Sequence, residues 1–134
     1  MKPIYLLFIA FVFASCQPSA DERAAQDLHR IDSLYAARDY HGTLNAIRQL
    51  RDNHPKAVKA RQRALKIWQN ASLKMTQQDI GLTDSALQAV TAQWKAEQNI
   101  SRRNRLRAKV DSLQVRYDAL CGTVRVIHRR QTEN

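Results

Sequence analysis

Along most of this chain apolar residues recur at the three- and four-residue intervals of an amphipathic helix, and the β-branched and aromatic clusters that announce strands are almost missing after residue 16. Ala24, Leu28, Ile31, Leu34 and Tyr35 mark a first helix from Asp21. Turn-prone residues at 38–42 interrupt it, and Leu44, Ile47 and Leu50 then mark a second, short helix that ends before Asn53-His54-Pro55. Pro55 is expected to open a third helix, where its missing amide proton is harmless. That helix carries Val58, Leu65, Trp68 and Met75, with Ala60, Ala64 and Ala71 admitting a neighbour closely, until Gly81 interrupts. Thr83-Asp84 reads as a new helix start, followed by Leu87, Val90 and Trp94 at heptad spacing. Leu106, Val110, Leu113, Tyr117 and Leu120 form a second run whose spacings alternate between four and three, as in a coiled coil. The two runs do not share a register, so a bend or a change of partner is expected between them, at residues 98–104. Gly122 is expected to end the helix, with a short extended segment at 123–127 leading into a polar tail.

The composition supports an all-α chain. It is 44% hydrophobic with only three Gly and three Pro, and strong helix formers dominate its body. The expected architecture is an antiparallel helical hairpin or bundle with a long, coiled-coil-like C-terminal helix. An amphipathic stretch as long as residues 83–120 needs its apolar stripe covered, and coverage by the same chain is expected over coverage by a second copy.

The first residues follow a different pattern. Lys2 supplies a positive start, and residues 4–13 form an apolar run too short to span a bilayer as a helix, which is the layout of a signal peptide. Phe13-Ala14-Ser15-Cys16 closes it and resembles the lipobox cut by lipoprotein signal peptidase. The resemblance implies cleavage between Ser15 and Cys16 and attachment of a diacylglycerol and an N-acyl chain to Cys16, with Phe13 where Leu is more usual. An ordinary secretory signal with an incidental cysteine is the alternative. The expected organisation is a signal peptide over 1–15, a lipidated tether over 16–20, a helical domain over 21–122 and a polar basic tail over 123–134. Such a chain lies on a membrane without crossing it. By resemblance to the Gram-negative sorting pattern, Gln17 after the cysteine implies the outer membrane and leaves the leaflet open.

The stretch from Leu34 to Pro55, with Tyr35, Tyr40, Leu44, Ala46, Ile47 and Leu50, resembles a tetratricopeptide unit, in which an aromatic at the turn wedges two helices together and a proline begins the next. Arg38 and Thr43 stand where that repeat has small residues, and a plain helical hairpin is the alternative. With the Asp-Ser-Leu segments at 32–34 and 111–113 and the stretch from Arg116 to Leu120, the whole chain is similar to small helical lipoproteins of the Bacteroidota. That resemblance implies architecture and location, not an activity.

The formal net charge is +10, and removal of Lys2 with the signal leaves 21 basic against 12 acidic side chains. A basic surface favours anionic partners without choosing among them. The densest run is Arg102, Arg103, Arg105, Arg107 and Lys109, which flanks the Leu106, Val110 and Leu113 stripe on both sides. It is either a solvated flank or a dock for an anionic lipid or an acidic helix. Arg125, Arg129 and Arg130 would extend that surface if the helices fold back antiparallel. The four histidines show no metal-site spacing, and Asp27 with His29 or Asp52 with His54 would point apart on a helix. No metal or further cofactor is expected. Cys121, the one thiol beyond Cys16, is expected to be buried, the alternative being a disulfide between chains. Trp68 and Trp94 are expected as core or interface anchors.

With three glycines there is no phosphate-cradling loop or nucleophile elbow, and no catalytic residues are assigned. The expected function is that of a non-enzymatic, membrane-anchored interaction module of the cell envelope, binding an envelope protein or its own copies. The alternative is a basic protein contacting anionic lipid, lipopolysaccharide or cell-wall polymer through residues 102–109. The compartment argues against nucleic acid.

Overall fold

The computed structural model describes residues 18–133, and every element in them is a helix: α1 (Ala20–Arg23), α2 (Ala25–Ala36), α3 (Tyr40–Asn53), α4 (Val58–Ala96) and α5 (Ile100–Glu133). The signal and lipobox readings fall outside these residues. No helix among those described is long and apolar enough to cross a membrane.

The first three helices and the start of α4 form a base. Ser19 begins it with a capping box: its hydroxyl accepts from the Glu22 amide while the Glu22 carboxylate accepts from the Ser19 amide. α2 ends in a Schellman turn, with the Arg38 amide donating to Tyr35 O and the Asp39 amide to Leu34 O, both at 3.0 Å. Arg38 takes the left-handed conformation there, with φ of 61°, a position that glycine usually fills. Arg38→Gly should therefore stabilise the fold by about 0.5–1 kcal/mol, the relief of strain exceeding the added freedom of the unfolded chain. A urea midpoint that fails to rise would mean that the Arg38 side chain offsets the strain.

Asp39 then caps α3, its Oδ1 accepting from the Gly42 amide at 2.8 Å. A Cβ at Gly42 would overlap the capping carboxylate, which explains the glycine. Tyr35 and Tyr40 meet across the turn with ring centroids 5.9 Å apart, so the aromatic wedge read from the sequence is formed. Ile31, Ile47 and Leu50 pack with Ala24, Ala46, Ala57, Ala60 and Ala64 into the core, and the alanines allow the helices to cross closely.

α4 begins at Val58, not at Pro55, because residues 54–57 form a turn held by the Ala57 amide on His54 O. The helix has no side-chain cap of its own at Ala57, and α1 supplies one: Asp21 Oδ1 accepts from the Ala60 amide at 2.9 Å. This carboxylate also sits favourably at the positive end of the α4 dipole.

Beyond the base, α4 and α5 fold back on each other as an antiparallel arm, reversing at residues 97–99, so the chain turns at the start of the stretch 98–104 where a bend was expected and is helical through the rest of it. Asn99 starts α5, its Oδ1 accepting from the Arg102 amide. Two contacts pin the register: Arg103 over the Trp94 ring near the tip, and Gln131 donating to Asn70 Oδ1 at 2.9 Å near the base. Small residues on α4, with Ala71, Thr76 and Thr83 buried, face the larger stripe of α5.

Two expected helix ends do not occur. α4 runs through Gly81, so Thr83-Asp84 is not a helix start but part of the seam, with Thr83 buried. α5 runs through Gly122 to Glu133, so residues 123–127 are helical and not extended. Neither glycine has anything within 4 Å of where a Cβ would stand, so each costs the helix only about 1 kcal/mol of propensity, less than the packing on either side returns. In α5 that packing continues the alternating spacing through Val124, Ile127 and Gln131, all half-buried.

Candidate functional site

The site expected from the sequence, Arg102, Arg103, Arg105, Arg107 and Lys109, lies in the first turns of α5 at the outer end of the arm, and all five side chains are exposed. Arg103 stacks on Trp94 at 5.9 Å from the ring centroid, which leaves Trp94 half-buried under a cation. Arg102, Arg105 and Lys109 line an open recess with Leu106 and Glu97, across the turn from α4. No acidic residue stands in the first turn of α5, where the helix dipole is positive and cations are unfavourable. The arrangement concentrates positive charge at a cost to local stability.

Arg125, Arg129 and Arg130 do not extend this patch. α5 is one continuous helix, so Arg125 stands about 35 Å along it from Arg102, beside the base.

Midway along the arm, the Tyr117 hydroxyl is held above its ordinary pKa of 10.0. Negative charge on the adjacent Cys121 sulfur is the main cause, followed by the hydrogen bond between the two, partial burial, and the carboxylates of Asp84 and Asp118. Cys121 is a free thiol and half-buried, not enclosed as expected, because among the described residues α5 packs against α4 alone and the opposite side of the seam stays open.

The base holds the feature that sequence reasoning missed. Trp68, expected as a core or interface anchor, is 41% exposed on α4 between α3 on one side and the end of α5 on the other, and it lines three recesses. One, of about 370 Å³, runs between Ile47, Val58 and Leu65. A second, of about 440 Å³, opens towards Val126 and Ile127. The third, of about 480 Å³, lies against Leu44 and Arg48 of α3. Helical spacing placed Trp68 on an apolar face but carried no information on whether α5 would reach far enough to cover it.

Other polar side chains of the base have structural roles. His54 Nε2 lies 3.1 Å from Asp27 Oδ2, joining the end of α3 to α2, and Arg63 donates to Asp32 Oδ2 at 2.6 Å between α4 and α2. Both pairs link residues far apart in sequence, which local spacing could not bring together. Among the described residues no three His, Cys, Asp or Glu side chains converge on a metal-sized site, and no buried side-chain nitrogen or oxygen lacks a partner. Comparison of the chain with protein-family models, with curated protein sequences and with solved structures gives no match.

Proposed function

We propose that this chain is a lipid-anchored, non-enzymatic helical module of the cell envelope, held to the outer membrane by acyl chains on Cys16, that binds another protein. The observation that carries this reading is the packing of α5. Not one residue of its 34 is buried, although Leu106, Val110, Leu113, Tyr117, Leu120, Val124 and Ile127 form an unbroken apolar stripe. A helix covered on one side only keeps apolar surface available to a further helix. Leu82, Ile100 and Val115 are exposed elsewhere on the arm.

The basic tip favours a second reading, in which Arg102, Arg103, Arg105, Arg107 and Lys109 dock on anionic lipid, lipopolysaccharide or cell-wall polymer. Ionic strength separates the two. Attraction between exposed charges fades as the Debye length falls from about 10 Å at 0.1 M salt to about 3 Å at 1 M, whereas an apolar helix interface persists.

Metabolic labelling with a palmitate analogue should mark the wild-type chain and leave Cys16→Ala unlabelled. Crosslinking in the envelope should then yield one protein joined through residues 28–75 or 102–120, retained at 1 M salt. Absence of label from the wild type removes the anchor from this reading; association lost at 1 M salt transfers the function to the anionic surface.

A further inference from the structure

We infer that the groove around Trp68 is a docking site for a short acidic protein segment that carries one bulky apolar side chain. The inference rests on the reading of the chain as a protein-binding module and names the chemistry of the partner. Two independent observations converge on the groove. Three of the six large exposed hydrophobic residues, Val58, Trp68 and Val126, gather around it, although the chain offers more than a hundred described positions over which they could scatter. Single exposed apolar residues need no explanation, but a cluster with a concave shape marks an interaction surface.

The second observation is charge. Arg48, Arg51 and Arg61 stand along the α3 and α4 edges of the same recesses, with Asp52 the carboxylate that lines them, whereas Arg130 on the far side is paired with Glu133 at 3.4 Å and adds no net charge. Arg61 spends one guanidinium nitrogen on Pro55 O, at 2.7 Å. Arg48 and Arg51 make no ion pair with any described residue and remain available to an incoming carboxylate. An apolar floor formed by Ile47, Leu65 and Trp68 within a basic rim fits an aromatic or aliphatic anchor flanked by Asp or Glu. It does not fit a second copy of this chain, which after loss of the signal would bring its own 21 basic against 12 acidic side chains to the same arginines.

The test uses the full chain held in phosphatidylcholine nanodiscs and a random dodecapeptide phage library, with empty discs as the counter-selection. Enriched peptides should be acidic and share one bulky apolar residue. Their affinity should fall at least about tenfold in Arg48→Glu/Arg51→Glu and in Trp68→Ala, and stay unchanged in Arg103→Glu/Arg107→Glu at the tip of the arm. Circular dichroism checks that each variant is folded, and the charge reversal, at two exposed positions, keeps the test valid if Trp68→Ala is not. Enrichment of neutral or basic peptides, or of none, overturns the inference. So does binding that is lost in the tip variant but kept in the groove variants, an outcome that leaves the interaction-module reading standing. Displacement of the peptides by phosphatidylglycerol in the discs would assign the groove to lipid and overturn it as well.

Discussion

Leu113→Asp combined with Leu120→Asp is expected to release α5 from α4 and remove up to about a third of the helical signal at 222 nm. Both leucines are half-buried in the seam, so each substitution forfeits about 1 kcal/mol of apolar burial. The larger effect is desolvation: an unpaired carboxylate in an apolar seam costs several kcal/mol more, and the cheaper response is for the helix to leave. Among the described residues α5 has no second partner to hold it, because α4 is the only element there that it packs against. Once detached, its two flanking cation rows and central glycine leave little to sustain a free helix in water. The control lies on the same helix: Val115 is 68% exposed, so Val115→Asp should leave both helicity and thermal midpoint within experimental error. Full helicity in the double variant would mean that the stripe of α5 is not what joins it to α4.

The same seam shows why some of the fold was legible in the sequence and some was not. The stripe from Leu106 to Leu120 is regular enough to announce a long helix with one covered side, and its partner, Leu87 to Trp94, was visible as a separate run. That the two pair with each other explains why they share no single register: they belong to opposite strands of a hairpin. The turn at 38–42 and the aromatic beside it were legible because both are local, whereas the cap that Asp39 places on the Gly42 amide was not read from the same residues. The misjudged boundaries at Gly81 and Gly122 have one cause. A glycine is a weak local penalty, and the packing of a seam more than ten residues long on either side overrides it. Contacts between distant residues were out of reach, since no local pattern tells Asp27 that it will meet His54, or Asp21 that it will cap α4. The candidate site followed the same division. The cation run was plain as composition, but its place at the tip, far from Arg125 to Arg130, followed only from the unbroken length of α5. Trp68 was plain as an apolar residue, and its exposure depended on where a helix sixty residues later would end.

Leu50→Ala should cost about 2–5 kcal/mol and fall almost entirely on the base. Leu50 and Ile31 are among the largest side chains that are fully buried, and the core around them consists mainly of alanines, so there is little neighbouring bulk to collapse into the space left behind. Against a total stability of about 5–15 kcal/mol for a domain of this size, that loss is large enough to populate the unfolded base near physiological temperature. The arm shares with the base only α4, and its own seam lies on residues that Leu50 does not touch. Hydrogen exchange should therefore accelerate in α1, α2 and α3 while the amides of 83–94 and 106–120 keep their protection, which is the behaviour of two cooperative units joined by one helix. If the arm amides lose protection in step with those of α3, the 39-residue α4 transmits the loss, and base and arm fold as a single unit. In that case a partner seated at Trp68, at the junction of base and arm, would stiffen the whole arm; with two units, it would stabilise the base and leave the basic tip as it was.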